Sequence, residues 1–267
     1  MNTLKRYGRL YRVFVAQFFK SLVQSKADFL IGLCGFFFTQ ITGIAFLYLV
    51  FEQIPVLADW SLEQLIFIYG FAQIPRGIDH LFTDNIWLVA WRLVVNGKFD
   101  RYMLRPMNLF LQVIFEKLQP DALGELLVGT ILIVVSIQRG IVLLDTPHVL
   151  WFVLSMCAGA IIYTAVKLLF ASLAFWIKIS GPVLYTAYQM ADFAKYPTEI
   201  YAKGIRLIIT WVIPFAFVAY FPATYFLNPG VSALKTVGVE CLLAVLFFAV
   251  AYTVFTLGTR AYESAGN

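Results

Sequence analysis

Long apolar runs constrain this chain more than any other feature. Residues 29–51 form the first, and further runs occupy 62–95, 109–137, 149–177, 205–227 and 236–257. Each reaches the roughly 20 residues that a helix needs to cross the hydrocarbon of a bilayer. Backbone groups find no water there, so runs of this kind have to be helical. Composition agrees, because 61% of the residues are hydrophobic and 13% charged, against about 45–50% and about 25% in soluble domains. The predicted fold is therefore an all-α integral membrane protein with six transmembrane helices. A single transmembrane domain is expected over 1–267, with a cytoplasmic amphipathic helix in 1–27, the six-span bundle in 28–257 and a cytoplasmic tail in 258–267.

The runs are not uniform. The second exceeds the bilayer and is expected to project into the cytoplasm. The third is polar in its first half (Gln112, Glu116, Lys117, Asp121, Glu125), which places its embedded part near 122–137. A polar stretch from Lys178 to Lys203 reads as cytoplasmic. Pro214 and Pro222 interrupt 205–227, which is either one kinked span or a short span followed by a re-entrant half-helix.

Basic residues set the orientation. Lys5, Arg6, Arg9, Arg12, Lys20 and Lys26 precede the first run, and Arg92, Lys98, Arg101, Arg105 and Lys117 follow the second. Lys178, Lys195, Lys203 and Arg206 follow the fourth, and Arg260 ends the last, whereas the opposite side holds Arg139 and Lys235. By the positive-inside rule both termini lie in the cytoplasm. The net charge of +5 thus follows topology and does not point to nucleic acid. The same spread of charges over the first 27 residues is unlike a cleavable signal. Leu4, Tyr7, Tyr11, Phe14, Phe18 and Leu22 recur at helical spacing, with Lys5, Arg9, Arg12 and Lys20 opposite. That pattern predicts a helix over 3–24 lying in an anionic lipid interface.

Two groups of residues are candidates for function. Residues 96–106 carry Lys98, Arg101 and Arg105 beside the apolar Phe99, Tyr102 and Leu104, with Gly97 and Pro106 bounding a short turn of helix. This compact basic element suits docking onto a soluble partner, and it also fits an ordinary positive loop. The second run carries a stripe of Tyr69, Gln73, Arg76, His80, Asp84, Trp87 and Trp91 on one helical face. Ionisable groups at membrane depth face a bundle interior or a wet cavity, so Gln73, Arg76, His80, Asp84 and Lys167 read either as a pathway lining or as a network holding helices together. Arg76–His80 and His80–Asp84 have pairing distance along a helix, and Asp121 and Glu125 are plausible partners for Lys167.

Motifs for covalent chemistry are missing. Gly97-Lys98 lacks the spacing of a phosphate loop. The two histidines, His80 and His148, stand far apart, and Cys34, Cys157 and Cys241 lie singly in apolar runs. Neither a metal site nor a catalytic set is expected, so the chain reads as a transporter and not an enzyme.

The chain resembles the membrane permeases of type-2 ABC (ATP-binding-cassette) transporters, and within them a branch of bacterial export permeases. The resemblance rests on the basic helix before the first span and on Val95-Asn96-Gly97-Lys98-Phe99-Asp100-Arg101-Tyr102-Met103-Leu104-Arg105-Pro106. It rests further on Tyr196-Pro197, Ile213-Pro214-Phe215 and Tyr220-Phe221-Pro222-Ala223. It implies two permeases, identical or paralogous, around a translocation path in the bacterial cytoplasmic membrane. It also implies a coupling helix made by Gly97, Lys98, Phe99, Asp100, Arg101, Tyr102, Leu104, Arg105 and Pro106, pressed into a separate nucleotide-binding ATPase subunit. ATP and Mg would be held by that subunit, with no cofactor on this chain. The rival reading is a secondary transporter or channel without an ATPase.

Overall fold

The computed structural model describes residues 26–142 and 145–264. The interfacial helix expected over 3–24 lies outside them. Helix α1, Lys26–Gln53, is apolar on every side, and the hydroxyls of Thr39 and Thr42 donate back to the carbonyls of Gly35 and Phe38, each at 2.9 Å. Helix α2, Leu62–Thr83, starts at a reciprocal cap in which Ser61 and Gln64 each accept from the other's backbone N–H. Its continuation, α3 (Ile86–Leu88) and a π-helical turn at Val89–Leu93, leads to α4, Asp100–Met103. Helix α5, Leu109–Phe115, and a turn at Pro120–Ala122 then lead into α6, Leu123–Gln138.

Helix α7, Thr146–Ser172, is capped by Asp145, whose carboxylate accepts from the His148 N–H at 3.1 Å. The His148 contacts hold the exposed Asp145 carboxyl below its usual range. Short helices α8 (Ala174–Ile177), α9 (Gly181–Gln189) and α10 (Lys203–Leu207) follow, then α11 (Tyr220–Leu227) and α12 (Val239–Ala261). Among the described residues there is no β-strand, only an isolated bridge between Leu57 and Trp60. Four stretches are long and apolar enough to cross a membrane: Leu30–Gln53, Pro120–Gln138, Thr146–Ile177 and Leu234–Ala261. The bent pair Lys203–Val212 and Phe215–Leu227 would make a fifth.

Helix α2 is the axis of the bundle. It is buried through most of its length, with Phe67, Ile68 and Phe71 wholly enclosed. Glycine lets α6 approach it: a Cβ at Gly70 would stand 2.7 Å from that of Leu132, and one at Gly129 would stand 3.0 Å from the Gly70 carbonyl. Small residues at such crossings do for membrane helices what hydrophobic burial does in water. Gly159 of α7 meets the ring of Pro75 in the same way.

The polar stretch 178–203, read as cytoplasmic from its composition, is packed against the helices in the structure. The Ser180 N–H donates to the Ala90 carbonyl at 3.1 Å, and Gly181 lies against the Trp91 indole. Farther along, Tyr188 meets Trp87, Arg76 reaches Asp192, and Lys195 sits over the ring of Tyr69. Glu199 finally accepts from Tyr220, which is edge-on to Trp60. The chain therefore climbs back along α2 from its Trp91 end to its Trp60 end. Its polarity serves ionic partners on α2, which is why low hydropathy misled.

Residues 203–227 bend by 70° at the Ile213–Pro214 break. Arg206 pairs with Glu199 at the Trp60 end, Phe215 reaches Tyr163 and Tyr188 inside the bundle, and Tyr225 returns to stack on His148 at the start of α7. A break of this kind fits a broken span or a re-entrant loop, the two alternatives that Pro214 and Pro222 left open.

Candidate functional site

The 96–106 element is built as a rigid knob. Gly97 takes φ +66°, a left-handed turn open to glycine. The Phe99 N–H then closes onto the Leu93 carbonyl at 2.9 Å. Phe99 is completely buried, its ring centroid 5.0 Å from that of Phe175 and 5.4 Å from that of Tyr262. Tyr102 is buried too, and its hydroxyl donates to Glu116, which also pairs with Arg101. From below, the Gln112 amide donates to the carbonyls of Tyr102 and Met107 at 3.1 and 2.9 Å. Asp100 accepts from Ser264 at 2.6 Å. Partial burial and the nearby Asp100 carboxylate push the Tyr262 phenol up to about 12.

Phe99 and Tyr102 were expected to present apolar surface to a partner. They turn inward instead, because two aromatic rings at this spacing satisfy an aromatic pocket of the chain itself. The outward surface is made by Lys98, Arg101, Met103, Leu104, Arg105 and Pro106, with Leu104 84% exposed. Asp100 lies between these two sets, half-buried.

The second site is an ionic cluster between four segments of chain. Arg76 of α2 reaches Asp192 at 2.8 Å and Glu125 of α6 at 3.6 Å. His80 has Nδ1 3.5 Å from Glu125 and Nε2 3.9 Å from Asp84. Lys167 of α7 stands 2.8 Å from Asp79 and 3.4 Å from Asp84, and the side chains of Lys167 and Asp79 are both fully buried. Thr83, Thr164 and Tyr188 all donate to the Asp79 carboxylate. Lys195 completes the set, 2.9 Å from Asp192. Nearby, Gln73 and Tyr69 donate to the Gln40 side-chain oxygen of α1 at 2.9 and 2.6 Å.

Each residue named from the sequence for the polar network (Gln73, Arg76, His80, Asp84, Lys167) is in polar contact. Two pairings differ from expectation. Lys167 binds Asp79 and Asp84, not Asp121 or Glu125, since α7 and α6 lie on different flanks of α2. Arg76 bonds across to Asp192 and Glu125 instead of along its helix to His80. Asp79, Tyr188 and Asp192 were missed. Asp79 had a usable signal, being one turn from Arg76 and from Thr83 in the same polar run.

Chemically, the cluster supplies fixed charges at bundle depth, and a salt-bridged pair with this much hydrogen bonding resists separation. Among the described residues, no group of three or more His, Cys, Asp or Glu could hold a metal ion. A separate buried carboxyl, Glu240 of α12, accepts from Ser155 of α7 at 2.6 Å.

No curated protein matches the chain. A family model does, over residues 37–266, and its description is ABC-2 family transporter protein. With most of the chain matched and helices of membrane-crossing length throughout, the protein belongs to the ABC-2 transporter family as a multi-pass membrane permease.

Proposed function

We propose that this protein is the transmembrane subunit of an ATP-driven exporter in the bacterial cytoplasmic membrane. Six crossings follow if α1, α2, residues 120–138, α7, the climbing segment 181–200 and α12 each span, with 203–227 as a re-entrant hairpin and both termini in the cytoplasm. Two such subunits, identical or paralogous, would enclose the path within membrane lipid. ATP and Mg would belong to separate nucleotide-binding subunits.

The observation that carries this reading is the exposed tip Met103-Leu104-Arg105, held on a buried base of Phe99 and Tyr102. Leu104, 84% exposed beside Met103 and Arg105 at the tip of a packed element, is suited to a partner's groove. A rigid base would transmit a push from that groove to α3 and α5 without loss. The test is co-purification of the tagged protein from its native cells in mild detergent, with ATPase activity measured for wild type and Arg105→Ala. A separate ATPase that is lost or uncoupled by the substitution supports the reading.

The ionic cluster favours the second reading, a secondary transporter or channel, because buried carboxylates also serve as ion sites. Recovery of a lone oligomer with no nucleotide-binding partner, in detergent that preserves other complexes, would select it.

A further inference from the structure

The ionic cluster has an odd charge balance. Four carboxylates belong to it: Asp79 and Asp84 on α2, Glu125 on α6 and Asp192 on the climbing segment. Three permanent cations face them: Arg76, Lys167 and Lys195. One negative charge is left over between packed helices, with Asp79 and Glu125 buried and Asp84 and Asp192 partly open. Among the described residues of the cluster, His80 is the side chain that can balance it as a cation.

The geometry of His80 points the same way. Its two ring nitrogens face carboxylates on different helices, Glu125 through Nδ1 and Asp84 through Nε2. A neutral imidazole has one N–H and one lone pair, so one carboxylate would meet a lone pair. The imidazolium has two N–H groups and can serve both. Other charges on the neighbouring elements are occupied elsewhere or point away. Glu116 is taken by Arg101, Lys117 is exposed, and Asp121 lies against Gly32 of α1.

We propose that His80 is the proton-binding site of this cluster, and that the bound proton holds α2 against α6. With the proton present the cluster is neutral and Glu125 is tied to α2 through both Arg76 and His80. When the proton leaves, one net negative charge remains and the imidazole keeps a single N–H, so it can hold Glu125 or Asp84 but not both. Where the remaining N–H turns to Asp84, the α2–α6 seam loses its His80 contact and is held there by Arg76 alone. The inference does not depend on whether ATP drives transport.

The test is thermal unfolding of the purified full-length protein in detergent between about pH 5.5 and 8.5, bracketing the ordinary imidazole value of about 6.5. If the balancing proton sits on His80, Tm of the wild type falls as pH rises across this window. His80→Gln lowers Tm at the acid end by several degrees and removes the pH step, although His148 is still present. Glu125→Gln added to His80→Gln restores Tm, because three carboxylates then face three cations. A pH step retained in His80→Gln overturns the proposal, as does a double variant no more stable than the single one. If His80→Gln fails to fold, Glu125→Gln alone decides: the pH step shrinks if His80 carries the balancing proton and persists unchanged if it does not.

Discussion

Helices α1 and α2 invert the rule that governs soluble proteins. Of the apolar stretch of α1, 11% is buried, and Ile31, Phe38, Ile41 and Leu49 are all more than half exposed. Helix α2 carries Arg76, Asp79 and His80 and is the most enclosed of the long helices described. In water the assignments would be reversed. In lipid, apolar surface gains nothing by finding other apolar surface, so association relies on close backbone approach and on polar groups that the tails cannot satisfy. Helix α2 has both, with its glycines toward α6 and its charges toward α6, α7 and the climbing segment. Among the described side chains of α1, Gln40 and Leu47 are the buried ones, and Gln40 is its polar handle in the interior.

The comparison is broken most severely at Lys167. Lys167→Met leaves Asp79 buried with three hydroxyl donors and no cation, which is expected to cost ~3–5 kcal/mol. Its signature is partial recovery in the double variant Lys167→Met/Asp79→Asn, in which neither charge remains. Thermal unfolding in detergent reads both. A single variant as stable as wild type would mean that water, not Lys167, neutralises Asp79.

The same contrast between inside and outside recurs within the 96–106 element. Phe99→Ala empties an aromatic pocket formed with Phe175 and Tyr262 and should lower stability by ~3–5 kcal/mol. Leu104→Ala, at the exposed tip, should leave stability within roughly 0.5 kcal/mol and act only on partner-dependent ATPase activity. Comparing the two in unfolding and in ATPase assays separates a folding role from a docking role. Equal loss of stability in both would remove Leu104 from the docking surface.

How far the sequence could be read follows the same physics. The crossings α1, 120–138, α7 and α12 were legible because unbroken apolar length has one meaning in a membrane. The stripe on α2 was legible as well, since charges at helical spacing within an apolar run have few places to go. Residues 181–200 were not. Asp192 and Lys195 look like water-facing charges until their partners Arg76 and Tyr69, more than a hundred residues earlier, are known. Hydropathy sees each residue alone, and a polar segment neutralised by a distant one has no local signature. The inward turn of Phe99 and Tyr102 was hidden for the same reason, because Phe175 and Tyr262 supply the pocket.

A weaker break acts on shape alone. Gly70→Val introduces a branched side chain where even a Cβ would stand 2.7 Å from Leu132. The expected loss is ~1–3 kcal/mol, typical of overpacking, with the cluster's charges unchanged. Gly35→Ala on α1, where a Cβ meets nothing within 4 Å, is the matched control and should be neutral. A Gly70 variant as stable as the Gly35 control would show that polar pairing alone holds α2 to α6.

The smallest effect is the one that sharpens the comparison most. Phe38 is 74% exposed on α1, and Phe38→Leu exchanges one lipid-soluble side chain for another. In a single copy surrounded by detergent, Tm should therefore stay within the shift of roughly 0.5 kcal/mol expected for surface changes. A second copy packed on α1 would change that result, because the ring would then fill a shaped surface where leucine leaves a gap. Measuring Phe38→Leu in concentrated and in diluted protein separates these cases. A loss that is present when concentrated and vanishes on dilution assigns the exposed flank of α1 to the interface between copies. A null result under both conditions leaves α1 facing lipid, and α2 with its neighbours then has to supply whatever surface a second permease would use.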